Sequence, residues 1–330
     1  MIALLMRRRA LRLMLASACG AGAVMGAWAQ DYPNRPIRLI VPTAAGGGFD
    51  ILARYVAQRM GDDHKITLTV ENRVGAGTVA GTEFVARAPA DGYTLMLGGV
   101  SNMALNPALF RKLPYDAARD FVPVGYLATF PTVLVSPPDF PANSFAEFVA
   151  QVRAHPGKYN FASAGVGTGQ HVWGAILIKL LGLDMPMVHY KGAAPAHQDL
   201  LAGRTHGMLD NLSAIRQHIQ AGKLKAYAVS TRARASQLPN VPSIIETGVV
   251  DFEAGSWMGL YAPAATPAPI VERLRSLADQ LVRSPEFAAR IESTGGAALV
   301  IPANRQNQFQ ADELARWDRL IKQTGIQLDL

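Results

Sequence analysis

The chain alternates short apolar runs with longer segments whose apolar side chains recur at helical spacing. Residues 37–41 are an apolar run between two prolines, which is typical of a buried strand. The following segment has one apolar helical face, made of Ile51, Leu52, Tyr55, Val56 and Met60. Further strands are predicted at residues 66–70, 95–97, 133–135, 161–163, 208–209 and 226–229, and further helices at 172–181, 270–281 and 309–321. This alternation predicts an α/β chain with mostly parallel sheets.

Two glycine loops, residues 43–50 and 164–170, each follow a predicted strand and open a predicted helix. A helix N-terminus has unpaired backbone N–H groups and a partial positive charge, and glycine lets a ligand approach them closely. Each loop is therefore a candidate cradle for a carboxylate or a phosphate, and the alternative is a tight turn. Asp50 is placed to cap the first helix. The separation of about 120 residues between the loops suggests two similar lobes.

The first 29 residues have the pattern of a secretory signal peptide. Arg7, Arg8 and Arg9 precede an apolar stretch of small residues, and Ala27-Trp28-Ala29 is a cleavage site of the A-x-A type. We therefore predict cleavage near Ala29 and a periplasmic location. A short N-terminal helix, twin-arginine export and lipid attachment at Cys19 are the alternatives. Cys19 is the only cysteine, so a chain cleaved near Ala29 has neither a disulfide nor a thiolate ligand.

Charge and composition exclude several classes of protein. Four of the arginines lie in the first 29 residues, and the rest of the chain has 28 basic against 25 acidic side chains. Such a weakly basic chain without a basic block gives no support for nucleic-acid binding. Outside the N-terminus, no run of about 18 apolar residues predicts a membrane span. The 49% hydrophobic content is that of a globular protein with a large core.

No motif for a metal, a nucleotide cofactor or a catalytic nucleophile is present. The chain lacks the Walker, H-E-x-x-H and G-x-S-x-G patterns, so we predict no cofactor, no metal and no enzyme activity. A hydrolase that uses Ser163 with His171 or His189 is the alternative. Ser163 and Thr168 are better interpreted as neutral hydrogen-bond donors.

Other polar residues near the predicted strand ends have two interpretations each. His171 follows the second glycine loop and either faces the cleft or is an ordinary first-turn residue. The pair Asp210-Asn211 either lines a cleft or forms a turn. Trp257, after Ser256, is either an aromatic wall of the site or a core residue.

From Tyr32 to about Ile326 the chain resembles the Bug family of periplasmic solute-binding proteins, the receptors of tripartite tricarboxylate transporters. The matching motifs are, in chain order, Tyr32-Pro33, residues 36–42, Gly46-Gly47-Gly48 with Asp50, Glu71-Asn72-Arg73 with Gly75-Ala76-Gly77, residues 91–95, Asn106-Pro107, residues 113–116, Asp120-Phe121, Pro156-Gly157-Lys158, residues 189–192, Asp210-Asn211, residues 221–224 and residues 238–242. So many motifs in one order make the resemblance specific.

The resemblance implies a two-lobed type II periplasmic binding protein, or Venus-flytrap, fold with two crossovers. Each lobe would be a mostly parallel sheet flanked by helices, with residues 30–131 and 255–330 in lobe 1 and residues 132–254 in lobe 2. A ligand carboxylate would be gripped between the two glycine loops by backbone N–H groups, hydroxyls and ordered waters. The predicted ligand-binding residues are Thr43, Ala44, Gly46, Gly47, Gly48, Asp50, Ser163, Gly167 and Thr168, with Ser101, Asn102, His171, Asp210 and Trp257 at the far end of the ligand.

The chain departs from the family pattern in both loops. Thr43-Ala44-Ala45 stands where the family commonly has Phe-Pro-Pro, and Phe49 replaces a threonine. Val166 and Gly169 remove polar groups from the second loop. Phe49 and Val166 favour a less polar ligand. The predicted protein is a monomer that passes a small carboxylate to the membrane subunits of a transporter, and a receptor that signals to a membrane sensor is the alternative.

Overall fold

The computed structural model describes residues 32–329. The predicted signal peptide, its cleavage site and Cys19 lie outside the described residues. Over residues 32–329, none of the helices combines the length and the apolar character that a membrane span requires.

Strands and helices alternate through most of the chain. The strands are β1 (Ile37–Val41), β2 (Leu68–Asn72), β3 (Thr94–Gly99), β4 (Phe121–Ser136), β5 (Phe161–Ser163), β6 (Met187–His189), β7 (Met208–Asn211), β8 (Lys225–Val229), β9 (Gly255–Pro263) and β10 (Ala297–Ala298). The helices are α1 (Gly48–His64), α2 (Val79–Ala86), α3 (Asn106–Leu109), α4 (Phe145–Ala154), α5 (Gly169–Leu180), α6 (Ala193–Leu201), α7 (Leu212–Gln220), α8 (Ala268–Arg283), α9 (Pro285–Ser293) and α10 (Gln306–Thr324).

The first lobe is built on a mixed sheet in the order β10-β4-β9-β3-β1-β2. β1 lies between β2 and β3 and is parallel to both. Successive side chains of a strand point to opposite faces. Leu39 and Val41 therefore pack with α1, α8 and α9, whereas Ile40 packs on the other face with α2 and α10. Helices cover both faces of the sheet, which explains why β1 is apolar on both sides.

Strand β4 belongs to both lobes. Residues 121–131 pair with β9 of the first lobe, and residues 132–136 pair with β7 and β8 of the second. The chain returns beside this point, where the Ser230 N–H donates to the Thr132 carbonyl at 2.9 Å. The Ala254 N–H in turn donates to the Ser230 carbonyl at 3.0 Å. Both connections between the lobes therefore run side by side.

The second lobe contains β5, β6, β7 and β8 with helices α4 to α7. β5 is parallel to β6, and the Ala162 N–H also donates to the Gly207 carbonyl next to β7. Apolar side chains of β4 and β7 pack against α6 and α7, with Leu200 and Ile215 fully buried among them. The first turns of α6 and α7 consequently lie at the same edge of the lobe as the ends of β6 and β7.

The sequence predicted most of these elements but not the two long crossing strands. Residues 133–135 are the end of the 16-residue strand β4, and β9 was not predicted. Strand β2 begins two residues later than the predicted strand at 66–70. The sheet of the first lobe is mixed where the sequence predicted mostly parallel strands, because β9 lies between β3 and β4 and is antiparallel to both.

Helix α10 is joined to β9 by a buried carboxylate. The indole N–H of Trp257 donates to Glu313 Oε2 at 2.6 Å, and the indole N–H of Trp317 donates to the same oxygen at 3.1 Å. Arg316 pairs with the other carboxylate oxygen at 3.1 Å. Both tryptophans are 5% exposed or less. Glu313 therefore satisfies two buried donors that no apolar residue could satisfy.

We predict that Glu313→Ala lowers the free energy of unfolding by roughly 2–4 kcal/mol, because it leaves two buried indole donors unpaired. Glu313→Gln keeps one acceptor and should lose about half as much. Thermal and urea denaturation followed by circular dichroism would measure both losses. Glu272→Ala on the exposed side of α8 is the control. An unfolding free energy of Glu313→Ala equal to that of the control would contradict the prediction.

Candidate functional site

The first glycine loop connects β1 to α1 and is held in place from within the helix. The N-cap residue of α1 is Gly47, and no side chain caps the helix. Asp50 is the third residue of α1 rather than the cap that the sequence predicted. Its Oδ2 accepts hydrogen bonds from Arg54 Nε and from the Gly46 N–H, both at 2.9 Å. These bonds, first that of Arg54, lower the pKa of Asp50 to about 2.

A cavity of about 460 Å³ lies between the lobes beside this loop. This volume is within the range of about 300–1,000 Å³ that is usual for small-molecule sites. Its backbone and small-residue lining comes from Gly46, Gly47, Gly48, Ala193 and Ala214, and its apolar lining from Ile51, Leu52, Tyr55, Phe130, Met258 and Ile291. Its polar lining comes from Asn211, Ser213, Arg216, Gln217, Arg290, Ser293 and Thr294.

The N-terminal turns of three helices reach this cavity. Gly48 begins α1, Ala193 begins α6, and Ser213 and Ala214 lie in the first turn of α7. None of the three helices has a side-chain cap. Each N-terminus contributes about half a positive charge and unpaired N–H groups. The cavity therefore offers its donors from both lobes.

Two arginines add full positive charges, one from each lobe. Arg216 of α7 donates from Nη2 to the Ser293 carbonyl at 2.8 Å, and the guanidinium of Arg290 of α9 lies 5.8 Å from the centre of the Tyr55 ring. Within the described part of the chain, neither arginine forms an ion pair, and the cavity lining includes no aspartate or glutamate. The electrostatic character of the cavity favours an anionic ligand.

Three buried oxygen atoms at or near the cavity have no hydrogen-bond partner among residues 32–329: Thr43 Oγ1, Asp50 Oδ1 and Asn211 Oδ1. Asn211 lines the cavity itself. A buried polar atom without a partner is costly, so it is normally satisfied by a ligand or an ordered water. The unpaired Oδ1 of Asn211 is a hydrogen-bond acceptor, so a donor such as an ordered water would satisfy it.

The second glycine loop makes its hydrogen bonds within its own lobe. Ser163 Oγ is 2.7 Å from His189 Nδ1, and Thr168 Oγ1 donates to the Gly165 carbonyl at 2.7 Å. The Gly167 N–H donates to His171 Nδ1 at 3.1 Å. Ser163, Gly167, Thr168 and His171 are absent from the lining of the cavity. Of the residues predicted at the two loops, only Gly46, Gly47 and Gly48 line it.

The tip of the second loop instead faces the first lobe near the end of the chain. A methyl group at Gly167 would lie 3.7 Å from the Phe110 ring and 3.8 Å from Leu328. Leu328 is held there by its N–H, which donates to the Leu109 carbonyl at 2.9 Å. The second loop therefore contacts the first lobe in this conformation.

The remaining predicted site residues have defined partners elsewhere or lie outside the lining. Asn102 is fully buried, and its Oδ1 accepts from the Gly99 N–H at 2.9 Å. Asp210 is fully buried between His197 and Gln170, whose Nε2 donates to it at 2.9 Å. Trp257 packs in the core, as described above. Ser101 begins a π-helical turn, Ala44 is exposed on the first loop, and neither residue lines the cavity.

Sequence reasoning missed the apolar wall and both arginines. The sequence places Ile51 and Tyr55 on one apolar face of α1 with Leu52, but Ile51 is 49% exposed and lines the cavity. Arg216 and Arg290 lie on amphipathic helices, where arginine is common on the solvent side. Their placement depends on how α7 and α9 approach each other, which no local pattern encodes. Over the described residues, no group of three or more metal-ligating side chains comes together.

Burial of His171, and secondly the neighbouring His189 ring, lowers the pKa of His171 to about 4. The neutral ring accepts the Gly167 N–H, whereas a protonated ring has two donors and no acceptor. The unfolded chain binds this proton near pH 6.5. The stability that this histidine contributes is therefore complete above pH 6.5 and is lost as the pH falls toward 4.

The unfolding free energy of the wild type should fall between pH 7.5 and pH 5 as the unfolded chain takes up this proton. His171→Asn keeps an acceptor near Nδ1 but has no ring to protonate. We therefore predict that the fall is about 2 kcal/mol smaller in His171→Asn than in the wild type. Urea denaturation at the two pH values measures this difference. The same loss in both proteins would show that the ring titrates normally.

Comparison with known proteins identifies the family. Residues 52–326 match the model of the tripartite tricarboxylate transporter family receptor. Protein BugT of Bordetella pertussis is 33% identical over 309 residues, which cover 93% of this chain and 95% of that protein.

Solved structures give the same result. The R. palustris protein Rpa4515 with adipate is 31% identical, covers 91% of this chain and all of that one, and superposes with a TM-score of 0.83. MatC from Rhodopseudomonas palustris with bound malate is 32% identical, covers 88% of this chain and all of that one, and has a TM-score of 0.77. These proteins are solute-binding receptors rather than enzymes, which gives no support to a hydrolase based on Ser163. Since the similarity extends over nearly the whole described chain, the protein belongs to the Bug family of tripartite tricarboxylate transporter receptors.

Proposed function

We propose that this chain is a periplasmic receptor that captures a small carboxylate in the cavity between its lobes and delivers it to the membrane subunits of a tripartite tricarboxylate transporter. The observation that carries the proposal is the cavity itself, which has helix N-termini and an arginine from each lobe and no acidic lining residue over residues 32–329. The adipate and malate of the two R. palustris structures support a carboxylate as the ligand.

The periplasmic location rests on the family and on the N-terminal sequence. Residues 1–29 would direct export and be removed near Ala29, and lipid attachment at Cys19 is the alternative to this cleavage. The family description supports delivery to a transporter.

The first lobe would bind the carboxylate before the second lobe closes on it. Lobe 1 comprises residues 30–131 and 255–330 in this proposal, and lobe 2 comprises residues 132–254. The N–H groups at Gly47 and Gly48 would hold the carboxylate oxygens at the α1 N-terminus. Asn211 and the first turn of α7 would then complete the site from lobe 2. Rotation at the two adjacent crossings, near Thr132 and Ser230, would open and close the cavity.

We predict that Gly47→Val abolishes binding without unfolding the protein. The backbone at Gly47 is extended, with φ of −80°, and a methyl group there would meet only the Ala44 carbonyl, at 3.5 Å. Valine therefore fits the fold but occupies the space of the ligand, at a cost of roughly 1 kcal/mol in helix capping. Gly167 is a poorer test site, since its φ of 80° strains any other residue.

The test is a thermal-shift screen of the refolded protein against a panel of carboxylates. A ligand at about 100 times its Kd stabilises the wild type by about 2.7 kcal/mol, or several degrees. Gly61→Val, in the same helix but away from the cavity, is the matched control and should respond as the wild type does. A full ligand shift in Gly47→Val would refute the role of the first loop, and a wild type that responds to no acid would refute carboxylate binding.

A further inference from the structure

The tip of the second glycine loop is covered by the first lobe. Gly167 is buried, whereas its neighbour Val166 is 58% exposed. Among the described residues, and apart from the chain neighbours of Gly167, only two atoms lie within 4 Å of a methyl group placed there. One belongs to the Phe110 ring, at 3.7 Å, and the other to the Leu328 side chain, at 3.8 Å. Little space therefore separates the loop from two apolar side chains of the first lobe.

This covering surface joins two segments that are distant along the chain. Phe110 directly follows α3, and Leu328 lies four residues beyond the end of α10. The Leu328 N–H donates to the Leu109 carbonyl at 2.9 Å, and the Leu328 carbonyl accepts from the Arg111 N–H at 3.3 Å. We call residues 327–329 the strap. An exposed ion pair between Arg111 and the last residue of the strap adds little, so the strap is held mainly by the two backbone bonds.

The loop that meets the strap keeps its shape through bonds within the second lobe. Thr168 Oγ1 donates to the Gly165 carbonyl, and the Gly167 N–H donates to His171 Nδ1. The φ of Gly167 is 80°, a conformation that favours glycine, so the loop reaches the first lobe without a side chain of its own. The loop therefore moves with the second lobe as one piece.

The contact between loop and strap is separate from the ligand cavity. Phe110, Gly167 and Leu328 are absent from the lining of that cavity. The lobes are joined at the crossings near Thr132 and Ser230. Because the loop belongs to one lobe and the strap to the other, a rotation at these crossings that opens the lobes would also move the loop off the strap.

We propose that the strap and Phe110 form a latch, which receives the second glycine loop and stabilises the conformation in which the lobes are closed. Opening exposes the apolar surface of the contact to water, so the contact favours the closed conformation. This preference is a property of the protein itself and requires no ligand. A molecule held between the lobes would also leave more slowly, since its release would require the latch to open.

The test measures the distance between the lobes in the exported chain without ligand. Residues 30–330 contain no cysteine, so two spin labels can be placed without removing a native residue of that type. Ala150→Cys on α4 and Glu272→Cys on α8 are exposed positions in different lobes. Double electron–electron resonance gives the distribution of distances between the labels, and small-angle X-ray scattering of the unlabelled protein gives its radius of gyration.

Two variants remove the latch. Leu328→Ala deletes most of the side chain that contacts the loop, and a chain that ends at Ile326 lacks the strap. Each should raise the ratio of open to closed molecules at least roughly threefold and increase the radius of gyration. Gln327→Ala, at an exposed position of the strap, is the matched control and should give the distances of the wild type.

The shortened chain keeps the groups that end α10. The Gly325 N–H donates to the Ile321 carbonyl at 3.1 Å, and the Ile326 side chain packs on the core. Its helical circular-dichroism signal should therefore equal that of the wild type. If this signal falls, Leu328→Ala alone decides the test.

Two results would overturn the inference. One is an equal distance distribution and radius of gyration in the wild type and Leu328→Ala. The other is a Gln327→Ala variant that opens as far as Leu328→Ala, because the effect would then not depend on the contact with the loop. Since no ligand is present, the result is independent of the proposed function: a protein that binds no carboxylate would still show whether the latch holds its lobes.

Discussion

Every property of the binding region depends on one constraint, which is that strand β4 is hydrogen bonded into both sheets. Up to residue 131 it pairs with β9, and from residue 132 onward it pairs with β7 and β8. The returning chain is bonded to the same point through Ser230. The two sheets are therefore joined at adjacent crossings, and bending near these crossings is the motion that would change the relative orientation of the lobes.

Between the lobes, the proposed anion site would consist mostly of backbone groups. Uncapped helix N-termini provide donors whose partial charge is permanent and whose positions are determined by the packing of α1, α6 and α7. The buried carboxylate of Asp50 would oppose an anion at α1, but it is paired with Arg54 and bonded to the Gly46 N–H. The Asp50 carboxylate therefore stabilises the conformation of the first glycine loop. Arg216 of α7 and Arg290 of α9 add full positive charges to the lining of the same cavity.

The sequence predicted those loops and helices that are specified by patterns of neighbouring residues. Glycines after an apolar strand located the first loop, and helical spacing located α1, α5, α8 and α10. Strand β4 was not recognised as one element, because Pro123 and Pro131 interrupt it and prolines normally argue against a strand. The second loop matches the same local pattern as the first, but its position also depends on the contact of Ser163 with His189 and on the approach of Gly167 to Phe110, which are both long-range. Arg216 and Arg290 were missed for the same reason, since only the approach of two helices brings them to one cavity.

The central claim is that a carboxylate binds between the lobes at the N-terminus of α1. A crystal structure of the chain with the acid that gives the largest thermal shift tests this claim most directly. The account predicts a carboxylate within about 3 Å of the backbone nitrogens of Gly47 and Gly48, with Asn211 contacting the ligand from the second lobe. A ligand bound to the second glycine loop without contact to Gly47 or Gly48, or one outside the inter-lobe cavity, would contradict the account.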